Sequence, residues 1–368
     1  MNRFNQAAIA VAGITLFGFS ACASAAWSLG NVAITDYSDA THPVDSTFPC
    51  VSEAVPAGAT SKIYRCTATV TNCNASSDGT SILLGKQAIL RVTVPSTGTS
   101  SVNNTAILFT GGAGTGLLGD VTGTDSNNVQ HRYASDVINK LVSEGFRTVE
   151  VAWLLGNWAL GSNAGPALNA CRPASVINFV RDHFGIDTGT SQVPGTQALH
   201  AMGNSAGSAQ IAYSMSHYGL ADKLTSAILG GGPPYARIDL GCFYEITSPL
   251  VYSSSNTGVI DKFFGVKACA LNDPSPPNTT GDYRAVYEAA SVVYEGNSYS
   301  YPSTKVHFIF GTADDTNSDE QGKLHVQRLL DEKTKYLTVE HVLGMPHELP
   351  TSEAGMDAVY NALNSYKK

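Results

Sequence analysis

From Gln197 to Met202 the chain reads as a short buried strand, and it runs straight into Gly203-Asn204-Ser205-Ala206-Gly207. Helix-forming composition follows at once from Ala206 to Tyr218, where Gly219 stops it. A strand that gives way to a helix within one residue must turn sharply. The residue at the apex is then strained, and its neighbours must be small. Gly203, Ala206 and Gly207 meet that need, with Ser205 at the apex. A bare G-x-S-x-G is a weak pattern, but this context makes Ser205 a candidate nucleophile.

The rest of the chain repeats the same alternation. Ala106 to Phe109 is a short apolar run ending at Gly111-Gly112. Ser135 to Glu144 carries Val137, Ile138, Leu141 and Val142 at helical spacing. Phe146 to Leu155 reads as a strand, Ala174 to Phe184 as a helix and Thr225 to Leu229 as a strand. After a break, Lys305 to Phe310, Gln321 to Glu332, Tyr336 to Leu343 and Glu353 to Ser365 give strand, helix, strand, helix. Alternating βα units imply an α/β fold with a mostly parallel central sheet and helices on both faces. Before Thr105 the chain is β-rich, with strands expected at Ile63 to Thr71 and Ala88 to Val94. The break, residues 241–303, holds Phe263-Phe264, Pro276-Pro277 and many tyrosines. It reads as an insertion at the strand ends, a lid or a substrate wall.

A serine hydroxyl needs a base, and the base a carboxylate. Of the nine histidines, His347 follows the last strand in Gly344-Met345-Pro346-His347-Glu348 and precedes the last helix. His341 falls inside the strand, His200 in the elbow strand, and His183, His217 and His325 in helix patterns. The strand ending at Phe310 leads into Gly311-Thr312-Ala313-Asp314-Asp315, so an acid emerges at the same sheet edge as Ser205. Asp314 is favoured over Asp315. Developing oxyanion charge needs backbone N–H donors. Ala206 supplies one, and Gly112 or Ala113 in Thr110-Gly111-Gly112-Ala113-Gly114 the other. Trp153, Trp158, Tyr244 and Phe263 are candidate substrate contacts.

These parts, GNSAG, FTGGAG, GTAD and MPHE in that order, resemble the α/β-hydrolase superfamily, and within it the secreted esterase and lipase group. The resemblance runs from about Thr105 to the end of the sequence. Thr110 stands where such relatives often carry histidine. It implies an α/β-hydrolase catalytic domain over residues 26–368 and hydrolysis of an acyl bond without a cofactor. The substrate would be a small or polymeric carboxylic ester. A peptidase of the same fold and a non-enzymatic binding protein are the alternatives.

Other chemistries find little footing. Gly114 to Gly119 matches G-x-G-x-x-G, but the polar stretch after it lacks the helix that a dinucleotide site requires. No cysteine pair has the spacing of a metal site. A net charge of −8 with no basic stripe excludes nucleic acid as the expected partner. Charged residues make up only 14% of the chain, which suits a secreted protein. Arg3 and the apolar run Ala7 to Phe19 read as an export signal, cleaved after Ala23-Ser24-Ala25, and too short to span a bilayer. Phe19-Ser20-Ala21-Cys22 offers a competing lipid-anchor reading, with delivery to the periplasm or the exterior in either case. Removal of residues 1–25 leaves Cys50, Cys66, Cys73, Cys171, Cys242 and Cys269, an even set that suggests disulfides. Cys66 with Cys73 and Cys171 with Cys242 are the expected pairs.

Overall fold

The computed structural model describes residues 28–35, 50–53, 60–73, 85–96, 102–160, 163, 165–186, 188, 195–243, 248–274, 282–295 and 297–368. The expected export signal, its cleavage site and Cys22 lie outside these residues, as does Tyr244.

The β-rich start forms β1 (Asn31–Thr35), β2 (Val51–Glu53), β3 (Ser61–Thr71) and β4 (Lys86–Pro95). The alternation begins with β5 (Asn104–Phe109), then a small hairpin of β6 (Gly123–Thr124) and β7 (Gln130–His131), α1 (Tyr133–Ser143) and β8 (Phe146–Trp153). It continues through α2 (Gly165–Asn169), α3 (Cys171–His183), β9 (Ala198–Asn204), α4 (Ala206–Ser216), β10 (Ser226–Gly230) and α5 (Ile238–Phe243). Next come α6 (Ser254–Phe264) and α7 (Tyr283–Ala289), then β11 (Lys305–Gly311), α8 (Ser318–Asp331), β12 (Leu337–Val342) and α9 (Glu353–Ser365).

Among the described residues the main sheet has the order β1-β3-β4-β8-β5-β9-β10-β11-β12, with β2 paired to β3. From β8 to β12 every neighbour is parallel, whereas β1 to β4 add an antiparallel wing. Side chains alternate between the two faces of this sheet, as a period of two demands. Ile107, Phe109, Leu199, Ala201, Ala227, Leu229, Phe308 and Phe310 pack on one face, beneath α3, α4 and the insertion. Ala106, Leu108, Met202, Ile228 and Ile309 pack on the other, beneath α1 and α9. This is the α/β-hydrolase arrangement, with its crossing helices on both faces. None of the described helices is long and apolar enough to cross a membrane.

The cysteine pairing differs from the expectation. Cys50 pairs with Cys66, Cys73 with Cys171, and Cys242 with Cys269. Cys66 sits within extended β3 and Cys73 beyond its end, so seven residues at about 3.3 Å each hold them some 23 Å apart. That is far outside disulfide reach. Antiparallel β2 instead brings Cys50 alongside Cys66, and the end of β3 meets the start of α3. In the insertion, the third bridge ties the last turn of α5 to the segment after α6. That stretch is packed into the core: Phe263, Tyr287, Tyr299 and Tyr301 are buried, and the Ala290 carbonyl accepts from Tyr213 Oη of α4 at 2.7 Å.

Candidate active site

Ser205 takes φ 52° and ψ −117°, the strained apex expected between β9 and α4. The two flanking glycines are required by space. A Cβ on Gly207 would come within 2.5 Å of the Phe109 carbonyl oxygen, and one on Gly203 would strike the backbone of Gly207. The Ser205 N–H donates to Gly230 O of β10 at 2.7 Å, so two neighbouring strands fix the elbow.

Two further loops leave the same edge. The loop after β11 carries Asp314 and the loop after β12 carries His347. They are zipped together: Thr312 N–H donates to Val342 O, Ala313 N–H to Met345 O, and Gly344 N–H to Thr312 Oγ1. The result brings three side chains into line. His347 Nε2 lies 2.8 Å from Ser205 Oγ, and His347 Nδ1 lies 2.8 Å from Asp314 Oδ2. Asp315 is exposed, whereas the Asp314 side chain is fully covered and its Oδ1 accepts from the Thr316 N–H at 2.8 Å.

The electrostatics follow from this line. Burial works against charge on His347, but the hydrogen bond and charge of Asp314, with the charges of Glu348 and Asp319, outweigh it and raise its pKa. Burial likewise opposes charge on Asp314, and the bonds from His347 and the Thr316 N–H overcome it, so its pKa falls. A hydroxyl facing such an imidazole can pass its proton to Nε2 while the carboxylate holds the Nδ1–H tautomer and steadies the cation.

The Gly-rich loop after β5 closes beside the serine. A Cβ on Gly111 would lie 3.2 Å from that of Ser205. Gly112 has φ 57° and open space about it. Thr110 Oγ1 donates to Gly116 O at 2.9 Å, which ties the loop across its base. Ala113 O accepts from Trp158 N–H and Gly114 O from Trp153 N–H. Trp153 Nε1 in turn donates to Gln210 Oε1 of α4 at 2.7 Å. Trp153 and Trp158 are thus buried supports beneath the loop, not open walls, because every face of each ring is packed. Phe263 is equally buried, edge-on to Tyr235. The histidines at 200, 217 and 325 sit in the interior, away from this line.

Three polar residues at the site escaped the sequence reading. Asn204, the variable residue of the elbow, is fully buried; its Nδ2 donates to Glu348 Oε2 at 2.9 Å and its Oδ1 accepts from Leu349 N–H at 3.1 Å. Thr316 Oγ1 stands 3.1 Å from His347 Nδ1. Asp319 lies against Asp314. Nothing along the chain marks the last two, although a polar residue directly before Ser205 was visible.

Comparison with known protein families and with curated proteins finds no match for this sequence. Among solved structures the chain is similar to carboxyl esterase 2 of the fungus Tuber melanosporum, with 11% identity, 77% of this chain and 82% of that chain covered, and a TM-score of 0.45. An esterase of Pyrobaculum calidifontis gives 17% identity over 76% and 80% of the two chains at a TM-score of 0.45. A bacterial heroin esterase gives 13% over 83% and 85% at 0.44. These are similarities of chain course, at identities that carry over no residue's role.

Proposed function

We propose that the chain is a serine hydrolase of carboxylic esters acting through Ser205, His347 and Asp314. The reading rests on one observation: Ser205 Oγ, the His347 ring and the Asp314 carboxyl stand in an unbroken line of 2.8 Å contacts at the apex of a strained elbow. Ser205 Oγ attacks the ester carbonyl as its proton passes to His347 Nε2. Asp314 holds the ring and stabilises the cation. The carbonyl oxygen gains negative charge against the N–H of Ala206 and an N–H of Gly112 or Ala113. His347 then gives its proton to the leaving alkoxide, and an acyl group remains on Ser205. Water, deprotonated by His347, releases the acid by the reverse sequence. Each lost oxyanion donor costs about 3 kcal/mol of transition-state stabilisation.

Esters of aliphatic or aromatic acids suit a chain this poor in charge better than peptides anchored through a charged side chain. The bridges Cys50–Cys66, Cys73–Cys171 and Cys242–Cys269 are consistent with an extracellular or periplasmic life.

Fluorophosphonate labelling with peptide mapping tests the nucleophile, and p-nitrophenyl esters of rising chain length against aminoacyl amides test the substrate. Label on Ser205 with ester turnover is the expected result. Ser205→Ala should lower kcat by roughly six orders of magnitude. Label on another residue, or ester turnover undiminished in Ser205→Ala, would overturn the assignment.

A further inference from the structure

His347 Nδ1 has two oxygens within bonding reach. Asp314 Oδ2 lies 2.8 Å away and Thr316 Oγ1 lies 3.1 Å away. Thr316 stands two residues past Asp314 and two before Ser318, where α8 begins. Its N–H donates to Asp314 Oδ1 at 2.8 Å, and its Oγ1 accepts from the Ser318 N–H at 3.2 Å. That Ser318 N–H is one of the donors a helix start leaves without a partner inside the helix, and here it holds the hydroxyl in place. One threonine therefore steadies the acid through its backbone and faces the base with its side chain.

The sense of the second contact follows from the first. Ionised Asp314 offers only lone pairs, so the hydrogen between Oδ2 and Nδ1 belongs to Nδ1. A ring nitrogen that carries hydrogen cannot accept. Thr316 Oγ1 thus takes a share of that same hydrogen, with one lone pair toward Nδ1 and the other toward Ser318.

We propose that Thr316 is a positioning residue: its hydroxyl is a second acceptor for the Nδ1–H of His347 and favours the imidazolium. Its part in turnover rests on the serine-hydrolase reading, but the shared hydrogen bond is a property of the folded chain. A charged ring N–H bonds more strongly than a neutral one. The contact therefore tightens as Ser205 gives up its proton, and losing it should lower kcat and spare KM. The charged groups that face His347 are Asp314, Glu348 and Asp319, and all three favour the cation as Thr316 does. Removing the hydroxyl leaves those acids in place and withdraws one acceptor, so the pKa of His347 falls and the acid limb of turnover moves to lower pH.

The test compares wild type with Thr316→Val, which keeps the shape and the N–H to Asp314 but loses the oxygen, and with Thr316→Ser, which keeps the oxygen. In NMR titration of the His347 ring in the intact chain, the midpoint should fall by about one unit in Thr316→Val and stay at its wild-type value in Thr316→Ser. On p-nitrophenyl esters, kcat should fall roughly tenfold in Thr316→Val with KM unchanged, and the acid limb of kcat/KM should shift with the ring. A Thr316→Val titration that overlays wild type overturns the proposal, as does a Thr316→Ser midpoint as low as that of Thr316→Val. Should Thr316→Val not fold, Thr316→Ala removes the same oxygen and is read in the same way. The titration needs no turnover. A lowered midpoint with Ser205 unlabelled faults the hydrolase reading alone, and a labelled Ser205 with an unmoved midpoint faults the Thr316 contact alone.

Discussion

Asn204 spans two loops with one amide. It is held by the elbow that presents Ser205, and it grips Glu348 and the Leu349 N–H, which flank His347 on its far side. Asn204→Ala should therefore leave ester affinity near its wild-type value and lower kcat by roughly 10²-fold, since misplacing a catalytic group by about 1 Å costs that much. Asn204→Asp sets a carboxylate against Glu348, and Glu348→Gln should restore part of the loss in the double variant. An additive double mutant would show that the two side chains do not act together. Ser205 itself carries a cost in stability. Its φ of 52° suits glycine, so Ser205→Gly should be more stable than wild type by about 1 to 3 kcal/mol in denaturant unfolding while losing activity. Asp314→Asn should drop kcat by about 10⁴-fold through the wrong imidazole tautomer, whereas Asp315→Asn, changing an exposed side chain, should match wild type. The elbow and both partner loops were legible because each carries a local pattern: glycines where a Cβ cannot fit, or an acid or histidine in the turn just past a strand end. Asn204 was not, because its role exists only once loops distant in sequence meet.

Elements were legible wherever an apolar run was bounded by a breaker. β5, β8, β9, β10 and β11 are almost wholly buried, and glycine ends α1 and α4 close to where composition placed their stops. Boundaries shifted where a helix begins on residues of weak propensity: α3 starts at Cys171, and α8 at Ser318. Cysteine pairing was illegible for a different reason. It depends on which strands lie alongside each other, and β2 against β3 has no signal along the chain. Loop entropy then ranks the bridges. Cys73–Cys171 spans 98 residues and Cys242–Cys269 spans 27, so replacing each pair by serine should cost roughly 5 and 3.5 kcal/mol respectively. Urea unfolding of the two double variants measures the order, and a larger loss from the shorter loop would contradict it.

For the whole molecule, three histidines make acid the weak side. His200, His217 and His325 are buried neutral, with burial pushing each down to about 3. The unfolded chain binds their protons near pH 6.5 and the native chain does not, so stability falls as pH drops from about 6.5 toward 3. Asp319 acts in the opposite sense: raised in the native state, it stabilises at low pH and its contribution fades as pH climbs from about 4 to 7. Melting curves between about pH 4 and 8 should show the histidine slope prevailing. His325 has neither ring nitrogen bonded and packs on Phe308 and Tyr299, so His325→Leu should flatten that slope; an unaltered slope would place the acid sensitivity elsewhere.

The clip from Cys73 to Cys171 has a practical side. It fastens the antiparallel wing to the start of α3, which packs against β1 and β3, and it closes only after both stretches have been synthesised and folded against each other. Material made in the reducing cytoplasm of a production host would lack it, and the wing would fray on modest warming. Routing the chain through an oxidising compartment, or refolding it with a glutathione couple, should be the difference between a storable preparation and a precipitate.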